Sequence, residues 1–452
     1  VGIAVVGAAV ELIWRPVSAD LAAATYRSDL FTRVGFTVRD HGWYAAHGHY
    51  LPGYSLLSPA LGALLGLHLL LALSAIAAST LFGLLATRLL NTAAARVAAI
   101  WFAVGFCVEL LSGRVPFDLG FAIGLGSLLA LVDRRTRLAV ALAVLTSVAS
   151  PIAGAFLALA ALAVAIAAGN SKDSNTDGPT RTANTLRTTH TDGLRIAAAA
   201  LVPIVVLALA FPEGGWEPFA ASAFWPAFVG VLLIAALLPR GALTPQRRRT
   251  LRVGAALYAL ALLGAFAVHT PVGGNAVRLG ALLAGPLLTG VLWERHRRVL
   301  LLLLPALLYW QLVAPIRDVS ALSGDPSVRA SYYAPLLAEL RGLTGGQPTV
   351  LEIPLTSAHW EAAWVPGHDG VSLARGWERQ LDTRYAAIFY RPGLTATTYR
   401  TWLAQNGVDY IALPDVGLDY AGHAEGKLLA GGLPYLHEVW RSRHWRLFER
   451  AH

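Results

Sequence analysis

Apolar runs separated by short polar loops fill residues 1–316, and their lengths set the first expectation. A membrane span takes about 20 mostly apolar residues, with shorter ones tolerated in a packed bundle. On that rule transmembrane helices are predicted near 1–14, 67–87, 97–112, 118–132, 138–150, 154–169, 196–211, 223–238, 253–268, 279–293 and 299–315, eleven in all. The fifth and sixth form one long apolar run interrupted by Ser150-Pro151. Proline breaks a helix, so the run reads as two short spans or a re-entrant hairpin. Residues 170–195 are rich in Ser, Thr, Asn, Asp and Gly and predict a disordered loop. Loop 15–66 differs, being long, aromatic and mixed in charge, and it ends in Leu56–Leu67, too short to be a separate span.

From about residue 317 the pattern becomes that of a soluble domain. Val350–Ile353, Tyr410–Leu413 and Trp445–Phe448 read as strands, and Ala334–Leu343 and Thr398–Gln405 as helices. Alternation of the two predicts a small α/β domain over 317–452. The expected fold is therefore an α-helical polytopic membrane domain (1–316) with an α/β C-terminal domain.

Composition agrees. The chain is 56% hydrophobic and only 14% charged, against roughly 25% charged for a soluble domain. The net charge of +9 lies in short loops rather than on one face or tail, which argues for lipid headgroups and against nucleic acid as its partner. Lys172 and Lys427 are the only lysines, an arginine bias typical of a high-GC bacterial genome. The single cysteine, Cys107, lies in an apolar run, so no intrachain disulfide is expected. The sequence has no Met and opens in a run short for a span, so a few preceding residues are expected.

Charge also orients the chain. One set of loops holds Arg88, Arg96, Arg134, Arg135, Arg137, Lys172, Arg181, Arg187, Arg195, Arg240, Arg247, Arg248, Arg249, Arg252, Arg295, Arg297 and Arg298, and the opposite short loops hold Arg15, Arg27, Arg33, Arg39, Arg114 and Arg278. The positive-inside rule makes the richer set cytoplasmic. An odd number of spans then places the N-terminus inside and residues 316–452 outside.

Candidate chemistry gathers in the first external loop. Asp20, Asp29 and Asp40 are carboxylates, His41, His47 and His49 are possible proton carriers or ligands, and Trp43, Tyr44, Tyr50 and Tyr54 suit a membrane interface. Asp20 and Arg27, seven apart, share a face of a helix through Ala19–Thr32. His47-Gly48-His49 could hold a divalent metal in principle, but no metal or other cofactor is expected. Elsewhere Arg114 and Asp118 have the spacing of an intrahelical ion pair. Arg278 follows Pro271-Val272-Gly273-Gly274-Asn275, whose glycines suit backbone approach to a phosphate. Glu109 has the look of an inward-facing group, and Glu213 and Glu217 of ordinary loop residues. In the tail, His359, Trp360, Glu361, Arg375, Trp377, Glu378 and Arg379 suit either sugar binding or docking on the membrane domain, docking being favoured.

Many spans, a long acidic first external loop and an extracytoplasmic C-terminal domain resemble the GT-C superfamily of membrane glycosyltransferases. The run Trp43-Tyr44, His47, Gly48 and Pro52-Gly53-Tyr54-Ser55, with GRVPFDLG (Gly113–Gly120) and SPIAG (Ser150–Gly154), resembles a group of uncharacterised actinobacterial membrane proteins. The resemblance implies a multi-pass enzyme of the bacterial cell membrane. It would move a sugar from a polyprenyl-phosphate donor to a cell-envelope glycan or glycolipid. It implies a catalytic Asp or Glu just after the first span, which Asp20 matches best and Asp29 next. Arg27, Asp40, His47, His49, Arg114, Arg278, His359, Trp360 and Trp377 are then the candidate substrate-binding residues. The loop holds no Asp-Glu or Asp-X-Asp pair, which keeps open a non-catalytic scaffold of the same shape. A multi-pass transporter is the other alternative.

Overall fold

The computed structural model describes residues 1–169, 181–238, 243–368 and 370–451. The chain opens with α1 (Gly2–Trp14) and turns by 74° into α2 (Ala19–Val34). A two-residue hairpin, β1 (Arg39–Asp40) and β2 (His49–Tyr50), and the short α3 (Ser58–Leu65) complete the first loop. There follow α4 (Leu67–Leu89), α5 (Thr92–Glu109), α6 (Val115–Val132), α7 (Thr136–Ala149), α8 (Pro151–Gly169) and α9 (Arg181–Ala210). The membrane part ends with α10 (Ala221–Leu237), α11 (Pro245–Ala267), α12 (Arg278–Leu292) and α13 (Arg297–Ala321).

Among the described residues eight helices are long and apolar enough to cross a membrane: α4, α5, α6, α8, α9, α11, α12 and α13. The bent pair α1–α2 would make a ninth, and α7 and α10 are shorter apolar helices. All eleven predicted spans therefore coincide with helices, three of them below full spanning length. Pro151 does split the fifth and sixth, because α7 stops at Ala149 and α8 begins at the proline. Of the predicted disordered loop, 170–180 lie outside the described residues, and from Arg181 onward the chain is helical. Its polar composition is carried by the first turns of α9, continuous with an apolar span.

Small residues let the helices approach, as expected where lipid supplies no hydrophobic drive between them. Ser147 on α7 donates to the Ala200 carbonyl of α9 at 2.6 Å, and Ser127 on α6 donates to the Ala139 carbonyl of α7 at 2.8 Å. Phe82 and Phe102 stack at 4.2 Å between α4 and α5.

After α13 come α14 (Ala330–Thr344), β3 (Thr349–Glu352), α15 (Glu361–Trp364), β4 (Val371–Leu373), α16 (Arg379–Tyr385), α17 (Ala396–Gln405), β5 (Tyr410–Pro414), α18 (His423–Gly431), β6 (Leu436–Arg441) and β7 (Trp445–Arg450). The sheet order is β4-β3-β5-β7-β6, with β3 parallel to β4 and β5, and β7 antiparallel to β5 and β6. The predicted strands are β3, β5 and β7; β4 and β6 are additional.

The first loop docks on this sheet domain. Gly42 O accepts from Leu373 N at 2.8 Å and Ala45 N donates to Leu373 O at 3.0 Å, extending the β4 edge. Trp43, fully buried, donates its indole N–H to the Ala362 carbonyl at 2.8 Å, and the Tyr44 hydroxyl donates to the Glu378 carbonyl at 2.9 Å. The loop thus holds the sheet domain at one end of the helical bundle.

Candidate functional site

At that end the ionisable groups of five elements meet. Ser18 begins the arrangement. It caps α2 by accepting from Leu21 N, donates its hydroxyl to the Ser112 carbonyl at 2.8 Å, and its own carbonyl accepts from the Trp360 indole at 3.2 Å. Gly113 follows Ser112 at φ +65°, and a Cβ there would overlap the Ser18 hydroxyl. Only glycine therefore lets the chain entering α6 lie on the start of α2. The next residue, Arg114, is thereby brought beside Asp20 in the first turn of α2, where the helix N-terminus also favours a carboxylate.

Arg114 Nε lies 2.9 Å from Asp20 Oδ2, its Nη1 lies 2.9 Å from Glu109 Oε1, and its Nη2 lies 3.6 Å from Asp318 Oδ2 at the end of α13. Burial opposes the charge on this guanidinium, but the carboxylates of Glu109, Asp20 and Asp318 outweigh it and hold the group firmly protonated. Arg278, at the start of α12, approaches Asp20 Oδ2 at 4.0 Å and lies over the Phe117 ring at 5.4 Å. Among the described residues the Arg278 guanidinium makes no hydrogen bond, so its five N–H donors remain open to a ligand. Asp20 keeps 31% of its side chain exposed, so the cluster opens on one side.

The expected Arg114–Asp118 pair does not form. Arg114 is the N-cap of α6, with backbone angles outside the helix, and its side chain turns toward α2 and α5. Asp118 is left fully buried beneath the cluster with neither carboxylate oxygen hydrogen-bonded. Glu109 is inward-facing, as expected, and is a partner of Arg114.

The other first-loop residues hold the loop rather than the cluster. Asp29 is nine residues from Asp20, about half a turn out of phase at 100° per residue, and is exposed beside Arg33 and His368. Asp40 accepts from the Tyr26 hydroxyl at 2.5 Å and from Gly42 N at 3.1 Å. His47 stacks on Tyr385 of the sheet domain at 4.3 Å. His49 is buried against Trp43 at 5.1 Å, and burial pushes its imidazole well below its ordinary pKa, so it is neutral. Arg27 pairs with Glu378 of the sheet domain and lies over the Tyr54 ring at 3.8 Å. The charges of Arg27 and of Asp20, Arg278 and Arg114 all act on the buried Tyr54 hydroxyl. Among the described residues no group of three or more His, Cys, Asp or Glu side chains could hold a metal ion.

The sheet domain forms a roof. Trp360 is buried in the docking contact already described. His359 is also buried, at φ +57°, stacked on Trp377 at 3.8 Å with Nε2 3.1 Å from Asp419 Oδ2. Arg379 pairs with Asp419 and lies between the Trp377 and Tyr420 rings at 5.5 and 4.8 Å. Burial works against the Asp419 charge, but His359 and Arg379 hold its carboxyl well below the usual range. Arg375 is buried in a network of its own, binding Asp382 at 3.1 and 2.6 Å and Glu425 at 3.2 Å. The dense charge of Leu373–Asp382 therefore serves folding and docking in large part.

Loop 211–220, between α9 and α10, carries Glu213 and Glu217, which the sequence reads as ordinary loop residues. Glu213 accepts from Tyr50 N, and its carbonyl accepts from Arg384. Trp216 N donates to Gln380 O at 3.2 Å and Glu217 N donates to Thr270 O at 3.0 Å. Gly273, at φ +41°, packs so closely on the Glu217 carbonyl that a Cβ there would overlap it. The glycines before Arg278 thus admit a neighbouring backbone. The Glu217 side chain has Arg379 of the roof and Arg278 and Asp20 of the floor as charged neighbours, and burial pushes its carboxyl up to about 7 against the pull of the two arginines.

No protein-family model matches the sequence, and no curated protein does. Solved structures do. One is the oligosaccharyltransferase of Archaeoglobus fulgidus tethered with an acceptor peptide containing the NVT sequon, with a TM-score of 0.51 and 13% identity over 91% of this chain and 68% of that one. The apo form of the same enzyme gives a TM-score of 0.51 and 11% identity over 91% and 69%. Identity this low carries the fold alone. The chain shares the fold of that archaeal membrane protein: a bundle of apolar helices with a small sheet domain at its C-terminus.

Proposed function

We propose that this chain is a membrane glycosyltransferase of the bacterial cell envelope, moving a sugar from a polyprenyl-phosphate donor to an extracytoplasmic glycan or glycolipid. The observation that carries the reading is Arg278. It is a buried-end guanidinium free of hydrogen bonds among the described residues, 4.0 Å from Asp20, at the end of the bundle roofed by the sheet domain. A donor anchored by its lipid chain presents its phosphate at that level. Arg278, steadied by Asp20, meets the phosphate, and Arg114 adds charge behind it. As the bond from the anomeric carbon to the phosphate oxygen breaks, these guanidiniums stabilise the departing negative charge.

Asp20 is the first-loop carboxylate on which this reaction depends; Asp29 stands outside the cluster. The charged groups Glu11, His68, Asp20, Glu109, Arg114, Arg278 and Asp318 all belong to helix ends on the side of the sheet domain. A transporter would place such groups near mid-membrane on broken helices. The test is transfer by the purified protein in liposomes carrying a synthetic polyprenyl-phosphate hexose. Arg278→Gln is expected to weaken donor binding and reduce transfer on the order of 10²-fold, the loss typical of one preorganised charge donor. Wild-type protein that neither binds the donor nor transfers its sugar would refute the reading.

A further inference from the structure

The cluster contains more carboxylates than the arginines need, and their geometry separates their duties. Asp20 Oδ2 is engaged by Arg114 Nε at 2.9 Å and faces Arg278 at 4.0 Å before any substrate arrives. Glu109 and Asp318 are likewise engaged with Arg114. Asp118 lies buried below them, away from the open side. Glu217 is neither paired with Arg114 nor fully buried, and among the described residues its carboxylate makes no hydrogen bond. Its backbone is fixed by Thr270 O on one side and the close-packed Gly273 on the other, while Trp216 beside it is tied to Gln380 of the sheet domain. Its loop is tied on one side to Gln380, next to Arg379 of the roof, and on the other packs on Gly273, which leads into Arg278 of the floor.

We propose that Glu217 is the proton acceptor for the incoming hydroxyl, and that Asp20 is a positioning residue acting through Arg114 and Arg278. The inference rests on the sugar-transfer reading and divides its chemistry between two carboxylates. The acceptor O–H bond breaks and its proton passes to a Glu217 carboxylate oxygen. The acceptor oxygen forms a bond to the anomeric carbon. The bond from that carbon to the donor phosphate breaks, and its electron pair leaves on the phosphate, facing Arg278.

Three features suit Glu217 to this task. The rigid loop fixes its position without consuming its carboxylate. Its backbone contacts run to Gln380, beside Arg379, and to Gly273, five residues before Arg278, and both guanidiniums act on its charge. Burial raises its carboxyl to about 7, and a general base works best when its pKa is near the working pH. Beside burial, the charged groups that act on it are Arg379 on α16, Arg278 on α12 and Asp20 on α2, and Glu217 in turn raises the Tyr420 hydroxyl after β5.

The experiment uses full-length protein in liposomes with the synthetic polyprenyl-phosphate hexose and an octyl glycoside acceptor. Donor binding, kcat, KM and the pH profile are measured for wild type, Glu217→Gln, Glu217→Asp and Asp20→Asn. Glu217→Gln is expected to bind donor normally and to lose roughly 10²- to 10⁴-fold in kcat, the usual worth of a general base. It should also lose the rise in rate through about pH 7 that deprotonation of Glu217 gives the wild type. Glu217→Asp should restore part of the rate. Asp20→Asn should raise the donor KM and keep the pH-dependent rise. An active wild type with an equally active Glu217→Gln overturns this inference alone, as does loss of the pH-dependent rise in Asp20→Asn but not in Glu217→Gln. A wild type that binds donor and transfers nothing overturns both this inference and the sugar-transfer reading.

Discussion

Arg375 illustrates how a charged residue can be read two ways until its neighbours are known. In sequence it sits among Trp377, Glu378 and Arg379 and suits a ligand; in the structure it is buried and bound by Asp382 and Glu425. Removing one partner of such a network strands the others without water, so Arg375→Ala is expected to destabilise the sheet domain by about 3–5 kcal/mol. Chemical denaturation followed by tryptophan fluorescence would measure it. Asp20, Arg114 and Arg278 were legible because a charge at the end of an apolar run needs a reason whatever the fold. Glu217 was not. A glutamate in a Gly-Gly-Trp loop has no periodicity and no local partner, and its neighbours Arg379 and Arg278 lie far from it in sequence. Asp118 misled by its spacing from Arg114, because an i to i+4 pair requires both residues inside the helix, and Arg114 caps it.

Among elements, the first loop and the sheet domain depend on each other. The loop brings Trp43 and Tyr44 to the sheet domain and pairs its backbone with Leu373, while the domain returns Trp360 to Ser18 at the start of α2. Trp43→Ala removes a fully buried indole and its hydrogen bond at this joint. It is expected to cost about 3–5 kcal/mol, the range for such truncations. Amide exchange should rise in residues 36–50 before it rises in the transmembrane helices; uniform exchange throughout would show that the joint is not a separate unit. The helices were readable because lipid leaves each span a long apolar run. The strands β4 and β6 were not. Val371–Leu373 is too short for an alternation to register, and Leu436–Arg441 is an edge strand whose mostly exposed positions carry little apolar pattern. In α9 the polar first turns masked a helix whose continuation is an apolar span.

For the molecule as a whole, the distribution of arginine makes a prediction that the fold sharpens. Leu56 N donates to Val148 O at 2.9 Å, which places the turn at Ser150-Pro151 on the side of the first loop and the sheet domain. The opposite ends of the helices carry Arg88, bound to Asp133 at 2.6 Å, and Arg247, donating to Leu89 O at 2.5 Å. The arginine-rich ends therefore lie together, away from the sheet domain. If the positive-inside rule governs them, that face is cytoplasmic and the sheet domain is outside. A variant with Cys107→Ser allows single cysteines to be placed on either side. Thr397→Cys, on an exposed turn of α17, should react with a membrane-impermeant maleimide in intact cells. Ser174→Cys, in the stretch between α8 and α9 outside the described residues, should react only after permeabilisation. The same orientation is what a lipid-linked donor and an extracytoplasmic acceptor require, since the Asp20 cluster would open to the outer leaflet beneath the sheet domain. Labelling of Ser174→Cys in intact cells, with Thr397→Cys protected, would put that cluster at the cytoplasmic face and remove the proposed acceptor from its reach.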